Sequence, residues 1–312
     1  MTNNSAIDDD VTSVADAHED TLSRLDAMRS EEDETHCTYD YLQCANREKI
    51  NEDDRRSMVQ WCHQVQKALK LSRETAWIAM SYFDRYLSSG KGDSGYALQD
   101  RYQFQLAAIT SFYIAVKVNE TSQLNVKTLV RICKKYYPVE DILDMEQDIL
   151  FALDWRMSTP TPMQFVEQYI QLLPAKIKSR TKDILEICKS HIYSIATDMY
   201  FVFCKPSVVG ASCLAAALTQ LNLLSKQERS DFWLHLARIT DLIDTMEAQA
   251  KLLTGKPVCK PISWSKTPAK SSLVERVTKH SVQKNVQKDT KHPVQKNVQI
   301  SPVCVTFVAP QV

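Results

Sequence analysis

Nine cysteines and seven histidines are the side chains best suited to nucleophilic or metal chemistry in these 312 residues. Their spacing supports neither. Cys37, Cys44, Cys62, Cys133, Cys188, Cys204, Cys213, Cys259 and Cys304 are odd in number and dispersed, with no Cys-x-x-Cys and no Cys/His pair at zinc-finger spacing. His63, His191 and His235 have no second His or Cys four residues away and read as surface or satisfied core residues. No nucleophile–base pair emerges. The five glycines, none between Gly95 and Gly210, are too sparse for a phosphate cradle, so a Rossmann or P-loop enzyme is disfavoured. The expectation is a chain with no metal, no cofactor and no catalysis of its own. It offers two places where another enzyme could act. Thr267-Pro268-Ala269-Lys270 has the form that proline-directed kinases favour, and Ser301-Pro302 is a weaker version. Phosphate at Thr267 or Ser301 would reverse the local charge of a lysine-rich segment.

A formal net charge of zero hides a strong asymmetry. Residues 1–34 hold eleven acidic and two basic side chains, a balance of −9, and residues 256–312 hold ten basic and two acidic ones, a balance of +8. The acidic arm, residues 1–35, has few large apolar groups to offset ordering entropy and is expected to be disordered. The tail, residues 256–312, repeats Val282-Gln283-Lys284-Asn285-Val286-Gln287 at 294–299 and reads as low-complexity. Its lysines are scattered and only Trp264 and Phe307 could stack on bases, so a nucleic-acid partner is disfavoured. The uncharged run from Pro206 to Ser225 contains Thr219, Gln220 and Asn222 and reads as a buried helix, so no membrane contact is expected. With no secretory signal and dispersed thiols, an intracellular setting is expected.

Between the tails the pattern is helical throughout. Asn51 and Ser72 are capping residues that start helices over 52–69 and 72–88. Ala76, Met80, Phe83 and Leu87 share one face of the second. After a loop of Ser, Gly, Lys and Asp to Gly95, helices are expected at 101–119, 125–135 and 138–153. Pro160 and Pro162 mark a break, and a second set is expected at 162–172, 178–199, 206–222, 226–237 and 239–253. Five helices, a linker and five more predict an all-α chain of two bundles, residues 36–158 and 159–255.

The run SRETAWIAMSYFDRYLS at 72–88 resembles the second helix of a cyclin box. QLAAITSFYIAVKVNE at 105–120 resembles the third helix and MEQDILFALDW at 145–155 the fifth. TPTPMQFVEQYI at 159–170 resembles the start of a second box, and KPSVVGASCLAAAL at 205–218 the third helix of that box, in D-type cyclins above all. All five signature positions of the family are filled, by Arg55, Asp84, Leu106, Lys117 and Glu146. The resemblance covers residues 40–255 and implies two tandem five-helix cyclin-box bundles.

The resemblance also implies roles. Arg55 and Asp84 would form a bidentate pair fixing an interhelical angle, with Leu106 in the core. Lys117 and Glu146 would face a kinase as polar anchors, with Ile114, Leu150 and Phe151 filling pockets. The implied function is a non-catalytic regulatory subunit that binds and activates a cyclin-dependent Ser/Thr kinase, in G1 or G1/S, in nucleus and cytoplasm. Kinase substrates or inhibitors would be further partners. The alternative is a transcription-associated cyclin or a cyclin-box module of the transcription machinery, whose DNA-binding version the near-neutral boxes disfavour. Two family motifs are imperfect. In the substrate-docking pattern Arg55, Met58 and Trp61 fit, whereas Asp54, Ser57 and Gln64 depart, which weakens docking of Arg-x-Leu segments and leaves Trp61 as core. Leu42-Gln43-Cys44-Ala45-Asn46 nearly matches the Leu-x-Cys-x-Glu of D-type cyclins but ends on a neutral side chain, so it is expected simply to lead into the first helix.

Overall fold

The computed structural model describes residues 5–36, 39–46, 48–240 and 242–254. Among these residues the regular structure is helical: α1 (Ser5–Thr35), α2 (Glu52–Ala68), α3 (Arg73–Ser89), α4 (Ser94–Ala97), α5 (Arg101–Asn119), α6 (Val126–Ile132), α7 (Val139–Ala152), α8 (Pro162–Gln171), α9 (Ala175–Lys178), α10 (Thr181–Ile195), α11 (Met199–Val202), α12 (Pro206–Gln220), α13 (Lys226–Ile239) and α14 (Leu242–Thr254). Short polar side chains set many of the starts. Asn51 and Asp54 build a reciprocal capping box at α2, Thr161 and Gln164 do the same at α8, and Ser72, Asp100 and Asn125 cap α3, α5 and α6.

The chain divides into two compact units. The N-terminal bundle takes residues 37–158 together with 196–203. Its axis is α5, which packs on α2, α3 and α7. Every side chain from Leu106 to Val116 on α5 is buried, so this helix is apolar all round rather than striped. Among the described residues the C-terminal bundle takes 159–195, 204–254 and the N-terminal arm, 5–36. Its axis is α12, buried from Ser207 to Leu218 and packed by α8, α10 and α14. Gly210 permits that approach: a Cβ there would lie 2.7 Å from the Pro162 carbonyl oxygen and 3.0 Å from Phe165 Cβ. The uncharged run from Pro206 is thus a core helix, and among the described residues no helix is long and apolar enough to cross a membrane.

Three expectations are corrected. The acidic arm is helical, not disordered: α1 buries Leu25 and Glu32 and packs on α8 and α12. The sparse apolar content suffices because one stripe of α1 meets a preformed surface. The helix expected at 178–199 is broken: α10 stops at Ile195, and Asp198 caps the separate turn α11, which belongs with the N-terminal bundle. The short helix α4 begins inside the segment expected to be loop, and the short helix α9 falls where one helix was expected to end and the next to begin. The basic tail, its repeat, Thr267 and Ser301 lie outside the described residues.

Candidate protein-binding site

The site rests on a buried frame. Arg55 of α2 donates from Nε to Asp84 Oδ1 at 2.9 Å and from one terminal nitrogen to Oδ2 at 2.8 Å, a fork-to-fork pair that joins α2 to α3. The other terminal nitrogen donates to the Ala196 carbonyl at 2.8 Å, and the Tyr41 hydroxyl donates to Asp84 Oδ1 at 2.6 Å. Both charges are almost wholly buried. Burial by itself would lower the Arg55 pKa, but the Asp84 charge and hydrogen bonds outweigh it and hold it above the ordinary value. Leu106 lies in the same core.

The second pair stands at the rim. Lys117 ends α5, and its ammonium donates to Glu146 Oε1 of α7 at 2.6 Å. The Lys117 side chain is 47% exposed, whereas that of Glu146 is only 11% exposed. The ammonium also lies 5.1 Å from the Tyr113 ring centroid. The hydrogen bond that Lys117 donates to Glu146 raises the Lys117 pKa, so the lysine is charged at neutral pH. Each group keeps capacity for a partner, because an ammonium has three donors and a carboxylate several acceptor sites.

Around the pair, α3 bolts down the end of α7. Tyr86 donates to Asp148 at 2.6 Å, Tyr82 to the Met157 carbonyl at 2.6 Å and Arg85 to the Arg156 carbonyl at 2.8 Å. Lys91 pairs with Asp154 at 2.6 Å. At this bolted end Asp154 and Trp155 both adopt the left-handed backbone conformation, with φ of 51° and 60°. Phe151 and Trp155 are 66% and 71% exposed, with Leu150 half-buried beside them. Trp155 was absent from the residues singled out in the sequence. The signal available was an aromatic placed directly after an apolar helix end, but exposure is decided by a turn that residue types do not spell.

Other sequence assignments fare differently. Ile114 is 2% exposed and cannot fill a partner's pocket, because α5 is enclosed on all sides and position 114 points into the core. Met58 and Trp61 are each 6% exposed, and Trp61 meets the Phe112 ring edge-on at 5.7 Å, while Gln64 is exposed. These three do not form a continuous open patch. Asp54, the first departure from the docking pattern, accepts from the Asn51 amide at 2.9 Å in the capping box of α2. The stretch from Leu42 to Asn46 forms a 3-10 turn and connection before α2, with Leu42, Cys44 and Ala45 packed on the core. The loop Gly90-Lys91-Gly92-Asp93-Ser94-Gly95, passed over in the sequence, spells Gly-x-Gly-x-x-Gly. It joins two helices, and the Asp148 carboxylate takes the Asp93 amide at 2.8 Å, where a phosphate oxygen would have to bind. Among the described residues no group of three or more His, Cys, Asp or Glu is placed to hold a metal ion.

Comparison with known proteins matches both bundles. The family described as cyclin, N-terminal domain, matches residues 23–158, and cyclin, C-terminal domain, matches 160–302. G1/S-specific cyclin-D1 of Xenopus laevis is 29% identical over 196 residues, 61% of this chain and 63% of that protein. G1/S-specific cyclin-D1 of Rattus norvegicus is 28% identical, with 64% of each chain covered. G2/mitotic-specific cyclin-2 of Antirrhinum majus is 30% identical over 59% of this chain and 39% of that protein. The matched region thus spans less than two thirds of the length of these relatives. A solved viral cyclin from Herpesvirus saimiri shares the fold, with a TM-score of 0.56 at 15% identity over 74% of this chain and 97% of that one. Two matched domains that between them take in both helical bundles, and relatives with a D-type cast, lead to one conclusion: the chain belongs to the cyclin family.

Proposed function

We propose that this cyclin is a non-catalytic regulatory subunit that binds a cyclin-dependent Ser/Thr protein kinase and activates it, in nucleus and cytoplasm, during cell-cycle progression. The observation that carries this reading is the Lys117–Glu146 pair at the rim of the N-terminal bundle, with exposed Phe151 and Trp155 beyond it. Charged groups with unused hydrogen-bonding capacity fix register, and exposed aromatics supply the burial that binding needs. The protein would act by population shift, binding the active arrangement of the kinase more tightly than the inactive one. A G1 or G1/S role is supported by the cyclin-D1 relatives at 28–29% identity, alongside which a G2/mitotic cyclin stands at 30%.

The test is capture of kinase from cycling-cell extract by the full chain and by a Lys117→Ala/Glu146→Ala double variant, followed by assay on a Ser-Pro-x-Lys peptide. Activity that accompanies the wild type and disappears with the variant supports the reading. Equal activity in both, or none in either, overturns it.

A further inference from the structure

Thr21, Leu25 and Glu32 are buried positions among the described side chains of the acidic arm, four and seven residues apart along one stripe of α1. Glu32 is the unusual one, an acidic side chain in a residue 1% exposed. One of its oxygens accepts from the Ser207 amide at 2.6 Å and the other from the Ser207 hydroxyl at 2.7 Å. Ser207 stands in the first turn of the 15-residue helix α12, whose own N-cap, Lys205, supplies no side-chain hydrogen bond. Glu32 therefore does from another helix what a capping side chain normally does, at the end where the helix dipole favours an acceptor. Beside it Lys205 bonds Asp33 at 2.5 Å.

We propose that the start of α12 and the flank of α8 form an acceptor surface for an acidic amphipathic helix, filled by the chain's own α1, and that Glu32 is the latch that holds or frees residues 21–35. The occupant is fixed by the contacts themselves, because α1 packs on both α8 and α12. Released, the arm is the strongly acidic segment that the sequence describes; latched, it is part of the C-terminal bundle.

The latch works through hydrogen bonds more than through net charge. Burial raises the Glu32 carboxyl above its usual 4.5, although the Ser207 bonds and Lys205 pull the other way. The groups acting on it are Ser207 in the first turn of α12, Lys205 at its N-cap, Tyr169 from α8 and Asp33 beside it on α1, and Arg29 and His36 act in turn on Asp33. A docked pKa above the released one means that the docked arm binds more protons in the window just above pH 4.5, so falling pH tightens the latch there. Asp33, held below its usual 3.8 by its bond to Lys205, acts in the opposite sense, but only below that value.

The experiment is amide hydrogen exchange on the full chain, comparing residues 21–35 with the interior of α12. Glu32→Ala should raise local opening of 21–35 by about tenfold or more, the scale of a lost cap, while α12 stays protected. Glu32→Gln can accept from the Ser207 amide and donate to its hydroxyl, so it should hold the arm as the wild type does and abolish the pH dependence. Unchanged protection in Glu32→Ala overturns the latch. A Glu32→Gln arm as loose as that of Glu32→Ala overturns the hydrogen-bond account. Should Glu32→Ala fail to fold, the wild type and a His36→Asn variant decide the matter. Their opening of 21–35, corrected for intrinsic exchange, must fall as pH is lowered toward 4.5, the usual value that burial raises, and a flat or rising trend overturns the proposal.

Discussion

Two ion pairs in the N-terminal bundle have the same sequence separation, 29 residues, and opposite surroundings. Arg55–Asp84 is buried, bidentate and extended by Tyr41 and the Ala196 carbonyl. Lys117–Glu146 is a single contact whose cation is half in solvent. A guanidinium has enough donors in a fixed fork to be satisfied inside a protein, so Arg55 suits a lock. An ammonium on a flexible stem, tied at one point, keeps donors for another molecule. The same two charges thus lock helices together when enclosed and leave donors accessible when placed at a rim.

Substitutions can break this contrast. The largest effect is expected from Arg55→Ala or Asp84→Ala, each of which strands a buried charge. Destabilisation of about 3–5 kcal/mol, read by urea or thermal unfolding, is the expected outcome; a change below about 1 kcal/mol would show the lock to be dispensable. Next comes Lys117→Ala/Glu146→Ala, which should weaken kinase binding by about 2–5 kcal/mol in a titration. The third effect is acid lability of the buried frame. Burial pushes His63, on α2 with Arg55, down from 6.5 to about 4. The unfolded chain therefore takes up a proton between those values that the folded one refuses. Stability should be full above pH 6.5 and fall by about 2 kcal/mol at pH 5. A His63→Gln variant whose unfolding shows the same pH dependence as the wild type would remove His63 as its source. The smallest effect is Lys117→Ala on stability alone. An exposed pair of this kind is worth about 0–1 kcal/mol, and a larger loss of folding would move Lys117 from the recognition class to the structural one.

Much of the fold was legible in residue types. The starts of α2 and α3 follow from Asn51 and Ser72, because a short oxygen-bearing side chain at a helix start satisfies orphan amides locally. α5 and α12 were legible as long charge-poor runs. What was not legible depends on neighbours far away in sequence. α1 looked unable to order itself, and alone it has little to bury; it is ordered by the surface of α8 and α12, more than 120 residues later. Ile114 looked like a pocket-filler beside Lys117, but one helical turn cannot show which side is enclosed when every side is apolar. Trp155 looked like the end of an apolar run; its exposure follows from two left-handed residues held by Lys91 and the hydroxyl and guanidinium groups of α3.

By itself the sequence determined the helical class, the positions of most helix starts and the two charge-poor axes, because these depend on local hydrogen bonding, on side-chain type and on the helical period; the residues of both ion pairs were named by the resemblance to the cyclin box. Only the tertiary structure decided which pair is shut in and which is open, where the acidic arm rests, and which aromatics reach solvent. Burial is a property of what packs against a residue, and here those partners come from segments tens to hundreds of residues away.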